Sequence, residues 1–397
     1  MGVVEAGTLL AVRADRLFDG EQRFGPSTVL ISGGQIVDVD TTGATPPAHA
    51  EVLDLGVGVS VLPGLIDAHV HLAFDASADV VAGIGAVDDE QLLRQMSQAA
   101  RRMLWAGITT VRDLGDRSFQ ALMLRKQLDA LGELGPEIVA SGPPITTRGG
   151  HCHFLGGVAN GPRQLRAAVR ERAERGCEVV KVMVSGGHLT PGSNPYESQY
   201  DLVDLRLIVT EAHSLGLSTA AHVHSPGSVA GAVAAGFDTL EHVTFFTADG
   251  VAADPATMDA IVESGTVVSA TVGMVPGMGE PPPSVARRLP AAIENFTRLH
   301  RRGARIVPGT DAGIAPPKPH DVLPYALADL TKLGMTNREA LRAATSVAAN
   351  ACGLTGRKGR LIPGADADLL AVTGDPLADI RTVHDVIAVI RAGRRVR

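Results

Sequence analysis

The sequence predicts an α/β protein: a parallel (β/α)8 TIM barrel carrying a small β-sandwich domain built from both chain ends. Three observations predict it. Apolar strand-like runs alternate with helical patterns at roughly 30-residue intervals through the middle of the chain, the spacing of βα units. Eight such runs occur there, the number a barrel needs. Residues 1–62 and 358–397 share a different texture, β-branched residues broken by Gly-containing turns, without helical periodicity.

The first element is the N-terminal half of the sandwich, residues 1–62, with "TLLAVRADRLFDG", "STVLISGGQIVDVD" and "AEVLDLGVGVSVLPG" as its strands. The barrel follows over 63–357. Its strand runs are "GLIDAHVHL", "TTVRDLG", "EIVASGPPI", "VVKVMVSGG", "STAAHVHS", "TLEHVTFF", "TVVSATVG" and "RIVPGTDAG". Between them, "DEQLLRQMSQAARRMLWAG", "PRQLRAAVRERAERG", "VDLRLIVTEAHSLG" and "SVARRLPAAIENFTRLHRRG" repeat apolar residues at i, i+3 and i+4 and end at or near Gly, so each predicts a helix. Residues 358–397, "GRLIPGADADLLAVTGDP" and "VHDVIAVIRAGRRVR" among them, return to strands and complete the sandwich.

Bulk properties narrow the function. The chain of 397 residues has room for a barrel and an accessory unit, and 45 Gly, 24 Pro and 3% aromatic residues suggest many tight turns around an aliphatic core. A net charge of −7 with no long basic run argues against nucleic-acid or anionic-membrane partners and favours a small-molecule substrate. Cys152, Cys177 and Cys352 are too scattered for a disulfide framework or a thiolate zinc site, which points to a reducing cytoplasm. No basic, apolar leader opens the sequence, and Gly and Pro break the longer uncharged stretches, so neither a signal peptide nor a membrane span is expected. A large barrel of this kind is compatible with a homo-oligomer.

Barrel enzymes place their chemistry at the C-terminal ends of the strands. Polar residues occur there: His69 and His71 late in the first strand, Lys181 in the fourth, His222 in the fifth, His242 in the sixth and Asp311 near the end of the eighth. His69 and His71 lie two apart, so in a strand both imidazoles face one way and can converge on a divalent ion. Each residue has a plainer alternative: a hydrogen-bonded rim position for a lone His, a turn or helix cap for Asp311. Lys181 stands between apolar neighbours in "EVVKVMVSG". Burying an unpaired ammonium costs several kcal/mol, on the order known for buried ions, unless the chain snorkels, pairs or reacts. A buried amine with a lowered pKa can react with carbon dioxide, and the resulting carbamate is an anionic oxygen ligand able to bridge two ions.

These motifs together, "PGLIDAHVHL", "AGITTVRDLG", the lysine strand, "AAHVHS", "LEHVTFF", "GTDAG" and "GRLIPGADADLLAVTGDPL", resemble the amidohydrolase superfamily, in its binuclear branch of imidazolonepropionase-like proteins and Xaa-Pro dipeptidases. The resemblance spans essentially the whole chain. It implies that His69, His71 and Asp311 hold one metal, His222 and His242 the second, and carbamylated Lys181 bridges them. Zinc is the default ion for such imidazole-rich sites, with manganese or cobalt as alternatives. A water activated between two ions would then attack an amide, with Asp311 as general base and then acid.

Loops choose the substrate. The resemblance suggests His151 and Tyr200 as substrate contacts, and Arg148 suits a substrate carboxylate; His153 and His188 lie in the same two loops. The chain departs from many relatives in "HVHS" and in "EHVTFF", where Gly often follows the histidine; Phe245 and Phe246 either line the pocket or pack the barrel. The leading expectation is a metal-dependent amide hydrolase acting on a dipeptide of Xaa-Pro type or an N-acyl amino acid. The alternatives are a mononuclear deaminase or cyclic-amide hydrolase, which would not need Lys181, and a catalytically silent binding barrel, which predicts lost ligands.

Overall fold

The structure, a computed structural model, describes residues 9–397. Residues 1–8, the start of the predicted sandwich segment, lie outside the described residues. All eight strand runs read from the middle of the sequence form strands: β1 (Leu65–Val70), β2 (Ile108–Asp113), β3 (Glu137–Ala140), β4 (Val179–Met183), β5 (Ser218–Val223), β6 (Thr239–His242), β7 (Val267–Ala270) and β8 (Ile306–Pro308). Their side chains are buried along nearly their whole length, as expected of parallel strands covered on both faces.

The strands pair in parallel in two sheets, β3-β2-β1 and β4-β5-β6-β7-β8. Short bridges stitch the facing edges. Ile145, beyond β3, accepts from Met183 N and donates to Lys181 O, both at 2.8 Å, while beyond β8 Asp311 N donates to His69 O at 2.8 Å and Ala312 O accepts from His71 N at 2.9 Å. The second pair of bonds ties three predicted site residues to one backbone seam.

Helices cover the arcs where periodicity predicts them, over Asp89–Trp105, Gly161–Arg175 and Leu202–Ser214. Asp88 and Asp201 cap the first and third through backbone amides three residues on. The single helix predicted over "SVARRLPAAIENFTRLHRRG" is instead two, Pro283–Ala286 and Leu289–Arg301. Pro290 explains the break: it supplies no amide hydrogen and is tolerated only in the first turn of a new helix.

The chain ends build two further sheets. One has four strands within Leu10–Asp54; the other has six and mixes the ends, since Leu369–Thr373 pairs antiparallel with Val59–Pro63. Leu10, Val12, Val29 and Ile31 share one apolar cluster with Leu361, Leu369 and Ile390. Beneath it, Lys358 is buried against Asp368, Asp366 and Glu137, the last at the start of β3. This junction lies at the N-terminal end of β3, opposite the strand ends that carry the histidines. No helix among the described residues is long and apolar enough to cross a membrane.

Candidate metal centre

At the end of β1, strand alternation turns His69 and His71 to one side, and both reach Asp311: His71 Nε2 lies 3.3 Å and His69 Nε2 3.6 Å from Asp311 Oδ1. The outer nitrogens are held from behind. His71 Nδ1 donates to Gly115 O at 3.0 Å, because a carbonyl can only accept, and Nε2 is the nitrogen turned toward Asp311. His69 Nδ1 sits 2.9 Å from Glu241 Oε2, an ion-pair contact rather than an aligned hydrogen bond, and the carboxylate favours the proton on that nitrogen. Glu241 is in turn gripped by Arg112 Nη2 at 3.0 Å and by Thr239 Oγ1 at 2.8 Å. A carboxylate behind an imidazole in this way is the usual support for a metal-binding histidine.

Asp311 is partly buried, which by itself raises a carboxyl pKa. The His71 hydrogen bond and the charges of His69, His71 and Lys318 outweigh burial and hold Asp311 ionised, well below the usual range. Burial pushes His69 down to about 4, with the Lys181 charge acting in the same direction. Gly309 makes the approach possible: a Cβ there would lie 2.6 Å from His69 Cβ.

The second group comes from β5 and β6. His222, His224 and His242 are buried, and one nitrogen from each lies within 4.8 Å of the others. His222 Nε2 donates to Gly186 O at 3.2 Å, while His224 and His242 set Nδ1 against Thr244 Oγ1 at 2.9 Å and Thr271 Oγ1 at 3.0 Å. Burial, reinforced by neighbouring imidazoles and Lys181, pushes all three histidines well below the ordinary imidazole pKa and keeps them neutral. The backbone is strained here, with φ of +73° at His242, +47° at Val243, +53° at Phe245 and +59° at Asp311. A positive φ is uncommon for such residues and concentrates at functional sites.

Lys181 lies within reach of both groups electrostatically, and its Nζ has no hydrogen-bond partner among the described residues. Burial lowers its pKa to about 8 against the charges of Glu241 and Asp311. The residues fit a metal pair: convergent imidazole nitrogens, one ionised carboxylate, and an orphaned amine whose burial the charges of Glu241 and Asp311 offset only in part.

The other predicted contacts divide. His151 is buried, with its ring centroid 4.7 Å from that of His222, its Nδ1 unpartnered among the described residues, and its pKa pushed by burial down to about 3. Gly187 leaves it room, since a Cβ there would meet His151 Nε2 at 2.4 Å. Arg148 and His153 are exposed in the loop beyond β3, whereas Tyr200 is buried and donates its hydroxyl to Ala159 O at 2.9 Å. His188 is exposed, 5.8 Å from the His224 ring. Phe245 packs in the main core, while Phe246 stacks on His224 with planes 6° apart.

Three supporting residues escape the strand-end reading: Glu241, Arg112 and His224. Each carried a signal. Glu241 and Arg112 are charges inside apolar strands, like Lys181, and His222-Val223-His224 repeats the spacing of His69-Val70-His71.

Residues 60–396 match the Amidohydrolase family. The ochratoxinase of Aspergillus niger is 28% identical over 370 residues, 83% of this chain and 73% of the relative. The imidazolonepropionase of Deinococcus deserti is 29% identical over 362 residues, 84% of this chain and 82% of the relative. Among solved structures, a Xaa-Pro dipeptidase with methionine bound in its active site superposes with a TM-score of 0.88 at 28% identity, covering 98% of this chain and 100% of the other. A prolidase complexed with N-methylphosphonate-L-proline gives 0.85 at 27% identity, with 98% and 100% covered.

Proposed function

The chain belongs to the amidohydrolase family, and from that premise we propose that it is a metal-dependent hydrolase cleaving an amide C–N bond of a small substrate, an Xaa-Pro dipeptide or an N-acyl amino acid. The observation that carries this reading is Lys181, a buried amine without a hydrogen-bond partner among the described residues, beside two groups of convergent ligand atoms. In this reading His69, His71 and Asp311 would hold one divalent ion, His222 and His242 the second, and Lys181, as its carbamate, would supply an oxygen ligand to the pair. Zinc is the proposed metal, with manganese or cobalt as substitutes. When bound, such a pair polarises a carbonyl and brings the pKa of water toward neutrality.

The chain's own residues do the rest. Asp311, held ionised, accepts a proton from the attacking water and delivers it to the departing amine. Glu241 and Arg112 fix the tautomer and orientation of His69, and Gly115 does so for His71. His151 presents its unpartnered nitrogen beside His222, where it can hydrogen-bond the substrate. Tyr200 would need to release Ala159 O, and Arg148 to fold inward, before either contacted a substrate carboxylate.

We read the two stitched arcs as one (β/α)8 barrel over 63–357, and the terminal sheets as a β-sandwich of 1–62 and 358–397. The proposal extends to a cytoplasmic enzyme with a small-molecule substrate and no nucleic-acid or membrane partner, able to form a homo-oligomer. Lys181 weighs against a mononuclear deaminase or cyclic-amide hydrolase, and the full ligand set weighs against a silent binding barrel.

The test joins elemental analysis to a hydrolysis screen over Xaa-Pro dipeptides, other dipeptides and N-acyl amino acids, with and without chelator. Near two ions per chain, and hydrolysis lost on chelation and restored by zinc, manganese or cobalt, is expected. Hydrolysis that survives complete metal removal would refute it, and a single ion unaffected by Lys181→Ala would move the assignment to the mononuclear class.

A further inference from the structure

The chain uses 31 arginines and only five lysines, and one of the five, Lys318, sits partly buried in the loop beyond β8. Its ammonium donates to Thr310 O at 2.6 Å, to Thr271 O at 3.1 Å and to Gly273 O at 3.2 Å. Three hydrogens on one atom meet three carbonyls. A planar guanidinium spreads its hydrogens over three nitrogens and cannot aim them from one point in this way, which accounts for lysine here in a chain that otherwise prefers arginine.

The carbonyls belong to two loops that carry ligand atoms. Thr310 immediately precedes Asp311, whose φ of +59° leaves the backbone strained at that turn. Thr271, just beyond β7, sets its hydroxyl 3.0 Å from His242 Nδ1. Backbone bonds close the loops around the lysine: Gly313 N donates to Lys318 O and Val275 N to Pro317 O, both at 2.8 Å. One ammonium therefore spans from the residue next to Asp311 in the first ligand group to the residue behind His242 in the second. Its charge contributes less to keeping Asp311 ionised than do the His71 hydrogen bond and the charges of His69 and His71. What it supplies is geometry.

We infer that Lys318 is a positioning residue of the metal centre, a strut that fixes the Asp311 group against the His242 group. This rests on the metal-hydrolase reading above and adds to it how the two groups are kept in register.

The experiment titrates zinc, in competition with a chromophoric chelator and with bicarbonate supplied, into the parent, Lys318→Met and Lys318→Arg, with folding checked by circular dichroism and urea unfolding of the metal-free proteins measured alongside. Lys318→Met is expected to bind at least one ion about 10–100-fold more weakly, the loss typical of residues that support metal ligands. The sign is diagnostic. A lysine acting only as a charge would repel the ions, so its removal would tighten binding, and a lysine that only stabilised the loops would lower the urea midpoint while leaving the affinity of the folded protein unchanged. Either result overturns the inference. Lys318→Arg keeps the charge without three hydrogens on one nitrogen, so it too should bind more weakly, and parental affinity there overturns the inference as well. If Lys318→Met does not fold, Lys318→Arg decides by that same criterion. A parent that binds no zinc would sink the hydrolase reading itself, whereas a two-metal parent beside equally tight variants would sink only the strut.

Discussion

Lys181 at the strand ends and Lys358 at the junction with the terminal sheets are both buried, but their surroundings differ. Lys358 Nζ lies 2.6 Å from Asp368 Oδ2 and 3.0 Å from both Asp366 Oδ2 and Glu137 Oε2. Lys181 Nζ has no hydrogen-bond partner among the described residues, and Glu241, the carboxylate that acts on it most strongly, is already engaged by Arg112 and His69. A buried ammonium is tolerable when its charge is matched, so the junction lysine ties β3 to the C-terminal segment, whereas the desolvation of Lys181 is offset only in part. The difference separates a buried cation held by contact ion pairs from one with no hydrogen-bond partner among the described residues.

Removing each lysine should separate the two roles. Lys181→Met is expected to lower kcat/KM by more than the roughly 10–100-fold typical of residues that only support metal ligands, while the metal-free protein gains about 1–3 kcal/mol against urea. A variant that lost stability and kept its activity would break the comparison. Lys358→Met should do the reverse. Three carboxylates that lose their buried cation and keep only Arg357 and Arg391 cost at most about 3–5 kcal/mol in the same unfolding measurement, with kcat per folded molecule and metal content unchanged.

A smaller effect is expected at Glu241, which links the two kinds of behaviour: it is a fully paired buried charge inside the site. Burial raises its pKa, but Arg112 and His69 outweigh burial and keep it ionised. Glu241→Gln keeps the shape and removes the charge, so metal affinity at the first position should fall about 10–100-fold by competitive titration. Unaltered affinity would reduce Glu241 to a partner of Arg112 alone.

The smallest expected change is in acid. Burial opposes ionisation of Asp366, but Lys358 and Arg357 prevail and depress its pKa below 3.8. A depressed carboxyl pKa contributes stability above the unfolded value and loses it as pH falls through the folded one. Urea midpoints of the parent should therefore decline below about pH 4, and those of Lys358→Met should decline less over that window. Equal slopes would remove Asp366 from the junction's acid response.

Much of this architecture was legible before any coordinates. Eight strand runs are local patterns, and all eight form where the apolar residues predicted them. Helix ends were harder, because Pro290 split a periodic stretch that apolar spacing alone reads as continuous. Among site residues, His69, His71, Lys181, His222, His242 and Asp311 stood out because a polar side chain late in an apolar strand is locally anomalous. Glu241 and Arg112 were equally anomalous, but their pairing spans 129 residues and no local pattern announces it.

By itself the sequence determined which side chains occupy the ends of the parallel strands and which strand faces they share, because side-chain alternation is a property of the local backbone. Tertiary structure decided the rest. It brought His224 into the second imidazole group, turned the Tyr200 hydroxyl onto Ala159, and buried Lys358 among carboxylates from β3 and the C-terminal segment. Charge pairing, tautomer and burial depend on which atoms meet after the chain has closed, and residues far apart in sequence supply those atoms.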